Sequence, residues 1–274
     1  MKKFALIVIS AFLLLMMPQA TAANTVIRIT GPIHQTFTGE FRNDDLAQSL
    51  TPSGDLGLKV FQPIAKNRTW VIDAALIDEV IVMSGDYTLA TEAEPAGKEI
   101  ATAWLTQLKR VTTGNDVVAL AYGNPDVSLA RRLAPSELRS YYSFGKSQLE
   151  AALGRTVRSE PNGGWSTGKS GLSNPLRKAY GENRKALTRL SRVVNDAQLI
   201  TLRAQLSKLL SPKLDKDGRE FYSYSARAAV DAMVRKLRIN SGKYQITTSN
   251  VKLPVTVINE FDADVTINIS LLPI

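Results

Sequence analysis

Two short apolar runs end in carboxylates. Residues 69–73 (TWVID) close on Asp73, and residues 116–121 (DVVALA) lead into the loop 122–126 (YGNPD), which closes on Asp126. Two acids at the C-terminal ends of neighbouring strands can act as acid and base, or as nucleophile and acid, in glycoside hydrolysis. Oxygen ligands of this kind can also hold a divalent metal. Tyr122 and Asn124 stand beside them as candidate ligand-binding groups. The same positions have an architectural use, with Asp73 as the N-cap of a following helix and Asp126 as a turn residue around Pro125. Carboxylates at strand-to-helix junctions are common caps. The expectation is therefore no catalytic residue and no metal, with Asp73 and Asp126 kept as the pair for a hydrolytic alternative.

Other chemistries are excluded more firmly. The chain has no cysteine, so disulfides, thiolate nucleophiles and cysteine-ligated metals are out. Its one histidine, His34, cannot build a histidine metal cluster, and between Ile33 and Gln35 it reads as a loop residue. Residues 163–170 (GGWSTGKS, Gly163 to Ser170) fit the phosphate-loop pattern. That motif works only between a buried strand and a helix. Here a polar stretch precedes it, and Gly171, Ser173, Asn174 and Pro175 follow. No nucleotide and no other cofactor is expected. Trp165 in this loop is a candidate sugar-stacking residue, whereas Trp70 and Trp104 sit in apolar runs and read as core.

The elements that must carry these residues alternate in the manner of α/β units. Residues 25–30 (TVIRIT) alternate as a strand, 44–50 form a helical turn, 69–73 a strand, and 74–82 a helix. Residues 98–110 form an amphipathic helix with Ile100, Trp104, Leu105 and Leu108 on one face; 116–121 follow as a strand. Residues 154–175 read as loop. In 183–194, Leu187, Leu190 and Val194 make a buried stripe, and Lys185, Arg189 and Arg192 lie opposite as a candidate binding face. Leu199, Leu202, Leu206 and Leu209 define another helix, and 226–237 the last. Residues 244–248, 255–259 and 265–271 alternate as strands.

In 274 residues, hydrophobic types make up 44% and charged types 22%, a globular balance. The net charge of +9 is local: residues 155–244 hold 19 Lys and Arg against 7 Asp and Glu, and the remainder 15 against 18. Nothing in that segment interleaves aromatics on a sheet, so nucleic acid is not the expected partner. The N-terminus has secretory form. Lys2 and Lys3 precede an apolar run from Phe4 to Met17, and Ala20 and Ala22 give A-x-A spacing, with cleavage expected after Ala22. An exported chain with a basic face points to a cell-wall polymer, an anionic membrane surface or an envelope protein as partner.

Several motifs together resemble a family of uncharacterised, secreted and membrane-anchored actinobacterial envelope proteins. From Asp44 to Tyr87 the chain holds DDLAQSL, WVIDAALIDEV and MSGDY. DAALID (73–78), AWLTQL (103–108) and ALAYGNPD (119–126) are similar to that family's D-P-A-L-L-D, A-W-L-x-x-L and A-L-P-Y-A-D-P-D segments. LPVTVIN (253–259), with Phe261, Asp262 and Val265 to Ile267, is similar to its I-P-V-T-V-x-N-x-L-D-x-x-V-T-V segment. The resemblance implies a shortened member lacking the C-terminal anchor, with a role near lipid-linked wall-precursor export. Ala74 and Asn124 replace a proline and an acid of the family pattern where a sugar-active barrel keeps its acids, which implies a non-catalytic binding protein.

The expected architecture is α/β: a signal peptide (1–22), an incomplete barrel-like α/β domain (23–153), a Gly/Ser/Pro-rich loop region (154–181), a basic helical segment (182–240) and a short β-sandwich-like C-terminus (241–274). An uncovered terminal edge strand predicts self-association.

Overall fold

The computed structural model describes residues 25–62, 68–240 and 255–266. Its centre is a four-stranded parallel sheet: β1 (Thr25–Ile29), β2 (Arg68–Ile72), β3 (Asp116–Ala119) and β4 (Arg158–Ser159), adjacent in chain order. Between β1 and β2 lie α1 (Asp45–Leu50) and α2 (Asp55–Phe61); between β2 and β3 lie α3 (Ala74–Met83) and α4 (Lys98–Thr112). α5 (Val127–Leu133) and α6 (Pro135–Leu153) lead to β4. The chain then becomes helical, with α7 (Asn174–Leu190), α8 (Ala197–Gln205), a 3-10 helix (Leu206–Leu210) and α9 (Lys216–Arg235). An antiparallel pair, β5 (Leu237–Asn240) and β6 (Thr256–Asn259), ends the described chain.

Alternation along the strands divides the sheet into two unlike faces. Ile29, Trp70, Ile72, Val117 and Ala119 join the main core with α1 to α4. Trp70 and Trp104 are completely buried there, as their apolar surroundings predict, and the Trp104 indole donates to the Leu56 carbonyl at 3.0 Å. The opposite face carries the register row Arg28, Val71, Val118 and Arg158. Among the described residues, no side chain of α1 to α4 joins the cluster on that side. Val71, Val118 and Leu120 instead pack against Trp165, whose carbonyl accepts from the Arg28 guanidinium. The Gly/Ser-rich loop is thus the cover of the second face.

A second core is helical. Leu187, Leu190 and Val194 meet Leu199, Leu202, Leu206 and Leu209, with Tyr222, Ala226 and Val230 of α9. The leucine spacing had indicated one continuous helix, but the 3-10 segment takes over at Leu206.

Several elements depart from expectation. α2, α5 and β4 were not read from the sequence, and α7 begins at Asn174, inside the stretch 154–181 expected to be loop, because Tyr180 already buries its inner face there. α6 was not foreseen because its buried stripe is Tyr141, Tyr142, Gly145 and Leu149, a face with little aliphatic signal. A side chain at Gly145 would put a Cβ 2.5 Å from the Leu120 carbonyl, so glycine here permits close helix–sheet approach. α9 begins ten residues before the predicted start, since its first buried positions are Gly218, Tyr222 and Ser223. Residue 237, assigned to that helix, opens β5, which pairs with the foreseen strand at 255–259. The predicted signal peptide, the strand at 244–248 and most of the strand at 265–271 lie outside the described residues. Among the described residues no helix is long and apolar enough to cross a membrane.

Candidate functional site

β2 and β3 end side by side, and everything of chemical interest gathers beyond them. Asp73 leaves β2 and caps α3: its Oδ1 accepts from Ala75 N at 3.0 Å and from Gly123 N at 2.9 Å. Asp126 caps α5, taking Leu129 N on Oδ1 and Ser170 N on Oδ2, both at 3.0 Å. Both acids therefore do the architectural work that junction carboxylates do. Between them the turn passes through Gly123 and Asn124, both at positive φ (74° and 41°). A Cβ on Gly123 would lie 2.8 Å from the Lys208 backbone. Glycine here is what lets the 3-10 helix lie across the strand ends. There the Ser207 hydroxyl donates to the Tyr122 carbonyl, and Asp126 N donates to the Leu210 carbonyl at 2.9 Å.

That crossing segment delivers a cation into the interior. Lys208 is 4% exposed, and its Nζ donates to Glu79 Oε1 at 2.8 Å. Glu79, on the buried side of α3, uses Oε2 to accept from His34 N at 3.0 Å, with His34 Nδ1 3.3 Å away. Burial alone would raise the Glu79 carboxyl. The Lys208 ammonium and the His34 contacts reverse that, leaving it below the usual carboxylate range. An ionised carboxylate only accepts, so the His34 Nδ1 that faces it carries a proton.

The neighbouring acids shift the other way. Burial pushes Asp73 up to about 7, with Glu79 adding to the shift while its two backbone donors and Lys208 oppose it. Asp78 is pushed up to about 6 by burial, against the hydrogen bond it accepts from the Tyr122 hydroxyl at 2.8 Å. Asp73 and Asp78 thus titrate near neutrality beside a carboxylate that stays charged, a pattern that also occurs where proton transfer is done.

The residues singled out from sequence fall into three places. Tyr122 is buried and packs edge-on to Phe144 at 4.9 Å, with its hydroxyl committed to Asp78. Asn124 is buried with Oδ1 lacking a partner among the described residues. Trp165 lies on the sheet, its indole donating to Glu160 Oε2 at 2.6 Å, well away from the strand-end cluster in the hydrogen-bond network. Lys185 and Arg189 on α7, and Arg192 in the turn after it, are exposed. Asp73 and Asp126 share the turn at 122–126 but not a partner. The charges that act most on Asp73 are Glu79 and Lys208.

Sequence reasoning missed Glu79, Lys208 and the role of His34, which lies in a loop as expected but is buried and bonded there. A signal existed. Glu79 falls on the apolar stripe of α3, between Leu76 and Val80, and Lys208 stands alone among Leu206, Leu209 and Leu210. A charge at a core position asks for a buried partner. Among the described residues no group of three or more His, Asp or Glu is arranged to hold a metal ion.

Comparison with protein-family models, with curated proteins and with solved structures yields no match to this chain.

Proposed function

We propose that this chain is an exported cell-envelope protein that binds a polyanionic surface without catalysis, as the secretory form of residues 1–22 and the resemblance to envelope proteins also suggest. The observation that carries the reading is on α7. Lys178, Lys185 and Arg189 fall within about 40° of one another at 100° per residue. They are exposed with Arg192, and none has an ion-pair partner among the described residues. The opposite face of the helix is buried through Tyr180, Asn183, Leu187 and Leu190, so the cations point away from the protein. The recognised chemistry is a row of phosphates or carboxylates, from a wall polymer or from lipid headgroups.

On this reading the sheet is the open arc of a barrel-like α/β unit. The consecutive parallel order β1-β2-β3-β4 and the helices on one face support that, and β5–β6 would belong to a sandwich-like terminus. The carbohydrate-active alternative draws on the near-neutral titration of Asp73 and Asp78. Against it, Asp73 commits Oδ1 to two backbone N–H groups and Asp126 commits both its oxygens to one each.

The test is co-sedimentation with wall sacculi and, separately, with anionic vesicles across a salt series. A basic residue near an anionic surface contributes about 1 kcal/mol. Neutralising Lys185, Arg189 and Arg192 to Gln is therefore expected to weaken binding roughly a hundredfold at low salt. The two arms tell wall from lipid. Binding that ignores salt, or a triple variant that binds like the parent, overturns the proposal.

A further inference from the structure

Outside the Glu79–His34 contact, the loop after β1, the start of α1 and the first turns of α9 enclose a cavity of about 420 Å³. Small-molecule sites occupy about 300–1,000 Å³. Two of its walls are polar groups fixed by the fold. His34, 8% exposed, is held on Glu79 through both its backbone N and Nδ1, so the ring cannot turn freely. Its Nε2 has no hydrogen-bond partner among the described residues. Tyr222 is 2% exposed, and its hydroxyl likewise has none. Burial, with Glu79 nearby, pushes that phenol far above its ordinary value, so it remains a donor at any physiological pH. That hydroxyl keeps contact with the solvent of the cavity, so a ligand atom can take the place of the water it meets there.

The rim is charged in both senses. Arg42 and Lys213 supply two cations, and Asp45 and Asp215 supply two carboxylates. Arg42, Asp45 and Asp215 all act on the Tyr222 hydroxyl, which places them around one space. Yet none of the four lies within 4 Å of an opposite charge among the described residues. Asp45 accepts only from Asn43 at 2.7 Å, and Asp215 uses Oδ1 to cap α9 at Gly218 N, 2.7 Å away. Arg42 stacks over the Phe221 ring at 4.9 Å, which steadies it without neutralising it. All four are exposed to solvent, and a molecule that brings both signs itself can meet them with charge-assisted hydrogen bonds.

We propose that this cavity binds a small zwitterion, a free amino acid or a dipeptide. Its carboxylate lies against Arg42 and Lys213, its ammonium against Asp45 and Asp215, and Tyr222 and His34 take its remaining polar atoms. The site is separate from the α7 face and stands or falls independently of it.

Isothermal titration of the full chain tests this with alanine, glutamate, lysine, phenylalanine and alanyl-alanine as probes. At least one is expected to bind saturably, and its N-acetyl and carboxamide derivatives at least tenfold more weakly. Tyr222→Phe is expected to lower affinity several-fold. Arg42→Gln, an exposed change, should erase the preference for a free carboxylate over the amide. The Lys185, Arg189 and Arg192 variant should bind the probe like the parent. Saturable heat from none of the probes, equal binding of the blocked derivatives, or parental affinity in both Tyr222→Phe and Arg42→Gln overturns the proposal.

Discussion

Replacing Asp73 by Asn separates a cap from a charge. Asn caps helices as well as Asp, and its Oδ1 can still accept from Ala75 and Gly123, the two bonds that fix the β2–α3 junction. What the change removes is ionisation inside the protein. Asp73 titrates at about 7 when folded, against 3.8 as the ordinary value. Because the folded value is the higher one, the native state keeps the proton longer than the unfolded state does. This group's favourable contribution is complete below about pH 4 and is lost as pH rises towards 7. Linkage across that gap takes about 2–3 kcal/mol from the parent between pH 5 and pH 8. The Asn variant has no such term. Urea unfolding followed by circular dichroism at pH 5, 6, 7 and 8 compares the two at each pH, so that other titrating groups cancel. The variant should gain about 2–3 kcal/mol on the parent from pH 5 to pH 8. A difference that stays constant with pH would show that Asp73 is not held protonated in the folded chain, and would undo the account of this cluster.

Two further perturbations probe the same region. Lys208→Met leaves the Glu79 carboxylate buried without its ammonium, and should cost about 3–5 kcal/mol in urea unfolding. Adding Glu79→Gln should restore part of that loss, a coupling that a double-mutant cycle reads directly. Gly123→Ala drives a methyl to 2.8 Å from the Lys208 backbone at a φ of +74°, and should destabilise by more than the ~1 kcal/mol of an ordinary Gly-to-Ala strain. Its thermal midpoint should fall well below that of Gly114→Ala, where φ is +73° and nothing lies within 4 Å.

Periodicity made much of the frame legible. β1, β2 and β3, with α3 and α4, lie close to where alternation and the Trp104–Leu108 face place them, because each buries an aliphatic stripe that stands out from its neighbours. α6 stayed hidden because tyrosines and a glycine do the packing there, and hydropathy hardly registers them. β4 is two residues long and gains its place from β3 and from the Asp116–Arg158 ion pair, whose partners are 42 residues apart. At the strand ends, the capping roles of Asp73 and Asp126 follow from their position before helices. The Glu79–Lys208 pair does not, since it depends on a glycine turn bringing a 3-10 helix over the sheet. Local pattern signals a charge in an apolar stripe, but only the tertiary fold names its partner.

The reach of Lys208 also bears on the order in which the molecule can be finished. The partners Glu79 and Lys208 are 129 residues apart, and Tyr122 and Ser207 are 85 apart. Synthesis runs from the N-terminus, so the strands and α3 emerge long before the segment that neutralises Glu79 and roofs the strand ends. Until then the growing chain carries an acid at a core position answered only by His34 among its described partners. The sheet and α3 cannot complete that pair until the segment carrying Lys208 has been made.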